Sequence, residues 1–393
     1  MNPTACSDIT FHPFADGGVL HRTGSHRLWV LNVTAATLWC LLDGQSESSD
    51  LARSYGKRFG IEDAAARQDV TGLLAQFRQW GLLDGEAPDV TQSEAVENPL
   101  EPLRVEKRLE TGISGLPQLV FTLAGHFFAI TFSDTDMAAD WKMLFSHLAT
   151  DEQPDDAGTE LAVLEQDAQA DKRFFCYENG IRTTGGLARN QVVPFLIYKL
   201  FEHRMAGLKD RLLFHAAVVA RNGRALLLPA QSGSGKSTLS AALVASGWTY
   251  LSDELALVDP VTRCVEPFAL PIGLKDKSMQ ALAAFIPDVE ILPRHIRIDG
   301  IGVRYLPPPI PPMTACLPIK ALVHPSYSMD ASTQLTELPP LDSLAVLAAT
   351  GSSARPLISS DVQAMLKMAS LPSYRLEFSD LGQAVNLVNA LAL

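Results

Sequence analysis

The sequence has few cysteines and a deficit of basic residues, and both features narrow the classes of protein that it can encode. The five cysteines lie far apart and form no Cys-x-x-Cys pair; they are Cys6, Cys40, Cys176, Cys264 and Cys316. This argues against a zinc knuckle and a disulfide framework. The 44 acidic residues exceed the 32 lysines and arginines by 12. Because a nucleic-acid surface needs a basic excess, we expect no nucleic-acid partner.

Long apolar runs are also missing. The longest apolar-rich stretch, Leu116–Phe132, is interrupted by Gly125 and His126, so it is too short to span a membrane. Two strands joined near Ala124 and Gly125 fit it better. The start of the chain, Met1–Phe14, lacks the basic and apolar regions of a signal peptide. We therefore expect a cytoplasmic protein without a membrane partner.

The composition is that of a folded chain with more than one domain. An apolar fraction of 47% and 393 residues are enough for two or three cores. We predict an α/β protein with a winged-helix-like domain at 1–88, a linker at 89–106, a β-rich subdomain at 107–205 and a catalytic α/β domain at 206–393. The linker is predicted from its polar residues and its prolines.

In the first zone, three short β-type runs precede three helical patterns. The predicted strands are Ile9–Phe14, Val19–Thr23 and His26–Leu31. The predicted helices are one through Leu42 capped by Asn32 or Thr34, Leu51–Phe59 capped by Ser48 or Ser49, and Glu62–Trp80.

The later zones alternate strand and helix patterns. We predict a hairpin at Leu119–Leu123 and Phe127–Phe132, strands at Leu161–Leu164, Phe174–Tyr177, Val218–Val219 and Ala225–Leu228, and helices at Ala138–Leu148, Val192–His203, Leu338–Ala349 and Val362–Met368. The proline-dense stretch Leu306–Pro318 is predicted to be a loop or an edge.

A glycine-rich segment lies between the strand candidate Ala225–Leu228 and a helical stretch, Leu239–Ala245. It consists of Ala230, Gln231, Ser232, Gly233, Ser234, Gly235, Lys236, Ser237 and Thr238. A phosphate-binding loop (P-loop) has this strand–loop–helix order. Its glycines allow successive N–H groups to point inward, and the helix N-terminus adds partial positive charge. Lys236 is then expected to bind the β- and γ-phosphates, and the Ser237 hydroxyl to bind Mg²⁺.

Two acids and a histidine flank this loop in the sequence. Asp253 and Glu254 follow the strand candidate Trp248–Leu251, only one helix and one strand after Lys236. If the glycine-rich segment is a P-loop, both carboxylates are within reach of the phosphates and the metal. His215 stands before the two strands that lead into the loop. Taken alone, the acids also fit a solvated turn, and His215 fits a structural histidine.

Together, His215, the SGxGKS loop and the Asp253-Glu254 pair resemble the catalytic core of the bacterial HPr kinase/phosphorylases and related kinases. The resemblance covers residues 215–259 densely. It implies an HPr-kinase-like P-loop domain that uses ATP and Mg²⁺, with Asp253 as the base for a serine hydroxyl, Glu254 assisting the metal and His215 orienting Asp253. Lys275, in the weaker part of the match, is expected to contact phosphate.

The sequence also departs from this family. Glu254 replaces the usual second aspartate, and Thr238 stands where glutamate is common. The later arginine-containing glycine motif is only echoed by residues 297–302. These departures leave open the reverse phosphorylase activity and HPr itself as the substrate.

Most of residues 10–85 resemble PqqD-like domains, the recognition elements for ribosomally made, modified peptides. The matching segments are Leu31–Trp39, Leu42–Gly44, Asp69–Leu74 and Trp80–Leu83. The resemblance implies that a leader peptide binds as an added strand beside the third helix. A DNA-binding winged helix is the alternative. It is less favoured because the third helix carries only Arg67 and Arg78 as bases, among three acids.

The two resemblances together predict an ATP-dependent kinase for a serine hydroxyl of a precursor peptide or small protein, whose leader binds residues 1–88. Two alternatives remain open: a nucleotide-gated peptide chaperone without phosphoryl transfer, and a kinase for a free small-molecule hydroxyl. Homo-oligomeric assembly is left open as well.

Overall fold

The computed structural model describes residues 2–84, 113–150, 158–168, 171–309 and 312–392. The predicted linker at 89–106 lies outside the described residues. The chain divides into two compact units. Unit 1 comprises 1–98, 338–349 and 355–371, and unit 2 comprises 99–337, 350–354 and 372–393.

The described residues form strands and helices in a mixed order along the chain. The strands are β1 (Ile9–Phe14), β2 (Gly17–Arg22), β3 (Leu28–Leu31), β4 (Gln118–Leu123), β5 (His126–Phe132), β6 (Thr159–Ala168), β7 (Asp171–Glu178), β8 (Ile181–Arg182), β9 (Leu212–Phe214), β10 (Ala216–Arg221), β11 (Arg224–Pro229), β12 (Thr249–Ser252), β13 (Ala256–Val258), β14 (Cys264–Glu266), β15 (Ile272–Lys275), β16 (Arg294–Ile296), β17 (Gly302–Leu306), β18 (Leu317–Tyr327), β19 (Gln334–Glu337), β20 (Gly351–Ser352) and β21 (Ser373–Phe378). The helices are α1 (Val33–Leu41), α2 (Ser48–Phe59), α3 (Asp63–Gln79), α4 (Thr135–Phe145), α5 (Arg189–Gly207), α6 (Lys236–Ala245), α7 (Met279–Leu282), α8 (Pro340–Thr350), α9 (Ser359–Ala369) and α10 (Leu381–Asn389).

The N-terminal part of unit 1 is a three-stranded antiparallel sheet, β1-β2-β3, packed on α1, α2 and α3. Leu20, Trp39 and Phe77 lie in this core. The Asn32 side chain accepts a hydrogen bond from the Ala35 N–H at 3.0 Å and so caps α1, as predicted. The predicted cap of α2 is wrong, because the helix already begins at Ser48 and no side chain caps it.

The opposite face of this sheet carries His12 of β1 and its cross-strand partner Val19 of β2. The next residue in β2, Leu20, points the other way, into the core. Residues from late in the sequence contact this part of unit 1. The Gln363 amide of α9 lies 3.3 Å from His12 Nδ1, and the Leu357 N–H donates to the Ser25 carbonyl at 3.0 Å. Unit 1 therefore includes α9 in addition to the N-terminal winged-helix-like part.

The first part of unit 2 is a five-stranded sheet with the order β4-β5-β6-β7-β8. The predicted hairpin is confirmed as β4 and β5. Helices α4 and α5 contribute Trp141 and Leu196 to the core of this sheet, together with Phe128. The same core includes Leu257 and Phe268, which follow Asp253 and Glu254 in the sequence.

The second part of unit 2 is a ten-stranded sheet whose main path is β12-β10-β11-β18-β14-β13-β9-β20, with β21 paired to β18 and β19. Strand β11 lies between β10, which is antiparallel to it, and β18, which is parallel. Helices α6 and α10 pack on this sheet through Leu239 and Val388. The glycine-rich loop therefore starts from an internal strand.

The proline-dense stretch was predicted to be a loop or an edge as far as Pro318, and this is wrong at its end. Leu317 and Pro318 begin β18, where Pro318 is the partner of Cys264 in β14. Pairing of β18 with β11 starts only at Ile319. Pro318 is thus paired with β14 but not with β11. Its missing N–H therefore costs no hydrogen bond on the side of β11.

Within the described ranges, no helix is both long and apolar enough to cross a membrane.

Candidate functional site

The loop from Ala230 to Gly235 connects the buried strand β11 to helix α6. Gly233 and Gly235 have φ angles of +88° and +89°, in the region that favours glycine. A Cβ on Gly235 would also lie 2.9 Å from the Phe378 ring. Glycine at this position is therefore required both by the backbone conformation and by the close approach of β21.

The amides at the start of α6 are available for a ligand. In the part of the chain that the structure describes, no acceptor binds the N–H groups of Gly235, Lys236, Ser237 and Thr238, whereas the Leu239 N–H donates to the Gly235 carbonyl at 2.9 Å. The cap residue Gly235 has no side chain that satisfies them. Free amides at a helix N-terminus favour an anion.

Lys236 is almost fully buried at this helix end, with 5% of its surface exposed. Its ammonium donates to the carbonyls of Ala230 at 2.7 Å and Gln231 at 3.0 Å, and it lies 3.0 Å from His215 Nε2. Burial lowers the pKa of Lys236 to about 8, against the favourable charges of Glu254 and Asp253. The lysine is thus held at the loop, and the neighbouring groups compensate the burial of its charge only in part.

The contacts of His215 define its protonation state. Because Nε2 faces the Lys236 ammonium, which can only donate, Nε2 acts as an acceptor. Nδ1 then carries the proton and donates to the Glu254 carbonyl at 3.2 Å. Burial lowers the pKa of His215, and Lys236 lowers it further, which agrees with a neutral ring. His215 therefore links Lys236 to Glu254.

Asp253 is buried and held at both carboxylate oxygens. The Tyr250 hydroxyl lies 2.9 Å from Oδ1, and the Gly273 N–H donates to Oδ2 at 3.2 Å. Burial raises the pKa of Asp253 to about 7, and Glu254 adds to the increase, whereas its interaction with the Ser237 side chain opposes it. The carboxyl group therefore titrates near neutral pH.

The structure brings the predicted site residues together but distributes some contacts differently. We expected His215 to orient Asp253. Instead, His215 contacts Lys236 and Glu254, while the partners of Asp253 are Tyr250 and Gly273. The Glu254 carboxylate is half-exposed and lies 3.7 Å from His215 Nδ1. Ser237, the expected metal ligand, lies near Asp253, whose pKa its side chain lowers.

Lys275, at the end of β15, also belongs to this cluster. Its charge lowers the pKa values of both Lys236 and His215, although burial is the larger cause for each. Two cations therefore stand at the loop, one buried and one half-buried. Their mutual repulsion is reduced when an anion binds between them.

Two neighbours of Asp253 were missed in the sequence. Tyr250 lies in the predicted strand Trp248–Leu251, but nothing in its local sequence pattern distinguishes it from a core tyrosine. Gly273 reaches the site through the pairing of β15 with β17, where its partner is Tyr305. The charges of Asp253 and Arg297 both act on Tyr305, a buried residue whose pKa is raised mainly by desolvation. The loop after β16 is therefore close to the acids.

The comparisons with known proteins match two segments of the chain. Residues 17–83 match the family model of coenzyme PQQ synthesis protein D (PqqD). The N-terminal segment is a PqqD-like domain. This confirms the predicted PqqD-like part, with its strands β2 and β3 and its three helices. Residues 191–265 match the model of ScmC, a SynChlorMet cassette protein, and this segment contains His215, the glycine-rich loop, Asp253 and Glu254. No curated protein matches the chain. The resemblance to HPr kinases stays a prediction.

The raised pKa of Asp253 makes the stability of the protein depend on pH. Between the ordinary value of 3.8 and about 7, the folded protein retains a proton that the unfolded chain has released. Stability is therefore expected to fall as pH rises from 4 to 7, by on the order of 4 kcal/mol. Thermal unfolding of the wild-type protein and Asp253→Asn, followed across this range, should show the larger loss in the wild type. If the stability of the two proteins changed with pH in parallel, the raised pKa of the buried Asp253 carboxyl would be contradicted.

Proposed function

We propose that the protein is an ATP-dependent kinase that phosphorylates a hydroxyl group, with serine as the expected acceptor, on a peptide bound by its PqqD-like domain. The observation that carries this proposal is the buried Lys236 beside four free amides at the N-terminus of α6. Such a combination suits the β- and γ-phosphates of a nucleoside triphosphate. The resemblance of residues 215–259 to HPr kinases supports the reaction type.

Triphosphate binding would use groups that are already in position. Lys236 would exchange the carbonyls of Ala230 and Gln231 for phosphate oxygens, which are stronger acceptors. The amides of Gly235–Thr238 would surround the same phosphates. Lys275 adds a second positive charge on this side of the loop. The positive charge that the fold holds at this loop would thereby be neutralised.

The residues around Ser237 also fit a magnesium ion. Mg²⁺ in kinases binds one or two carboxylates together with phosphate oxygens and water. The Ser237 hydroxyl and the half-exposed Glu254 carboxylate are the candidates to hold it, and Asp253 lies near enough to Ser237 for that side chain to lower its pKa. Among the described residues, no cluster of three His, Cys, Asp or Glu side chains forms an independent metal site. When bound, the ion would neutralise charge on the transferring phosphoryl group.

Proton transfer from the acceptor would fall to Asp253. As the hydroxyl oxygen bonds to the γ-phosphorus and the bond to the bridging β–γ oxygen breaks, the hydroxyl proton passes to the carboxylate. A pKa of about 7 suits a base that works near neutral pH. His215 has a different task in this scheme, because its contacts connect Lys236 to Glu254.

Recognition of the peptide is assigned to the PqqD-like domain. PqqD-like domains bind precursor peptides in the biosynthesis of modified peptides, and residues 17–83 match their model. Strand β3 pairs only with β2 among the strands that the structure describes, so its other edge is available for an added strand. A precursor peptide with an N-terminal leader is therefore the proposed substrate.

Replacing Lys236 should remove phosphoryl transfer. We expect Lys236→Ala to lower the rate of transfer from γ-labelled ATP to the precursor peptide by at least about a hundredfold, because charge compensation in the transition state is lost. The exposed Lys209, in Lys209→Ala, is the matched control. Near-normal transfer in Lys236→Ala would contradict the site. ATP binding by the wild type without any transfer would instead favour the peptide chaperone.

Removing the leader from the peptide should affect binding rather than chemistry. We expect KM for the peptide to rise at least about tenfold and kcat to change less than about twofold, because leader binding is remote from the reacting hydroxyl. Steady-state kinetics with full-length, leaderless and scrambled-leader peptides measure both constants. An unchanged KM would exclude recognition by this domain and favour a free small-molecule substrate.

A further inference from the structure

Asp253 is held by a tyrosine that belongs to the core of unit 2. The Tyr250 ring is buried and packs in the cluster that contains Leu239 and Ile272. Its hydroxyl lies 2.9 Å from Asp253 Oδ1. The position of this hydroxyl is therefore determined by the packing of the ring, and the carboxylate must adapt to it.

A second contact restrains the same hydroxyl. Tyr250 Oη also lies 2.9 Å from the Leu270 carbonyl oxygen. Leu270 lies in the irregular segment before β15, and β15 supplies Gly273, whose N–H donates to Asp253 Oδ2 at 3.2 Å. Tyr250 thus ties the segment that carries Gly273 to the carboxylate. Both oxygens of Asp253 are controlled by the same local arrangement.

The carboxylate needs such restraint. Rotation of an aspartate carboxylate about χ2 is broad, because the terminal torsion has no sharp minima. With Oδ1 at Tyr250 and Oδ2 at Gly273, one orientation is selected, and in it the carboxylate lies near enough to Ser237 for that side chain to lower its pKa. Without the hydroxyl, Oδ1 would lose the hydrogen-bond partner that the core provides.

We propose that Tyr250 is the positioning residue of the site, holding the Asp253 carboxylate in the orientation that serves Ser237 and the acceptor hydroxyl. The proposal rests on the proposed kinase function for its catalytic consequence. Its structural content, the orientation of one carboxylate, is independent of that function. Tyr250 itself touches neither phosphate nor acceptor in this account.

The kinetic test compares Tyr250→Phe with Tyr177→Phe. Tyr177 is a matched control in the same unit: it is buried, and its hydroxyl accepts a hydrogen bond from Gln166 at 3.3 Å in the five-stranded sheet. We expect Tyr250→Phe to lower kcat for phosphoryl transfer about 10- to 100-fold while KM for ATP stays within about threefold, as misorientation of a reacting group does. Tyr177→Phe should leave both constants unchanged. Equal kcat values for Tyr250→Phe and the wild type would overturn the proposal.

Crystal structures of the two variants separate this proposal from the kinase assignment. We expect the Asp253 carboxylate to rotate in Tyr250→Phe and to keep its wild-type orientation in Tyr177→Phe. If the wild type transfers no phosphate, the proposed function fails, and the carboxylate orientation alone decides the role of Tyr250. An unrotated carboxylate in a folded Tyr250→Phe protein would overturn the positioning role.

Discussion

Removing the Lys236 ammonium from water costs free energy, and the neighbouring residues of the site offset part of this cost. Three acceptors, the carbonyls of Ala230 and Gln231 and His215 Nε2, offset it in part. The acids Asp253 and Glu254 add favourable charge, yet the pKa of Lys236 remains lowered to about 8. A site with an incompletely compensated buried cation favours the binding of an anion, which supports the choice of a phosphate ligand.

The same burial gives the two acids different properties. Asp253 lies inside and its pKa is raised to about 7, whereas Glu254 is half-exposed beside His215. Both acids follow directly after the end of β12, where the carboxylate of Asp253 is buried and that of Glu254 is exposed. This pattern allows one acid to hold or accept a proton while the other stays near the solvent.

Much of the local structure could be predicted from the sequence, because capping, helix periodicity and the glycine-rich loop are short-range signals. Asn32 caps α1, and the strand–loop–helix order around Lys236 is as expected. The contacts of Asp253 could not be predicted, since Gly273 reaches it through sheet pairing with β17. The inclusion of α9 in unit 1 was missed for the same reason: it depends on contacts between residues about 350 positions apart, such as Gln363 with His12. The closing elements β21 and α10 were also missed.

Calorimetric titration of the full chain with ATP and with AMP, in the presence of Mg²⁺, tests whether the loop before α6 holds the β- and γ-phosphates of a nucleotide through Lys236 and the free amides. We expect ATP to bind at least about a hundredfold more tightly than AMP, because AMP lacks the phosphates that these groups contact. Equal affinity for the two nucleotides, or no binding of ATP, would contradict it.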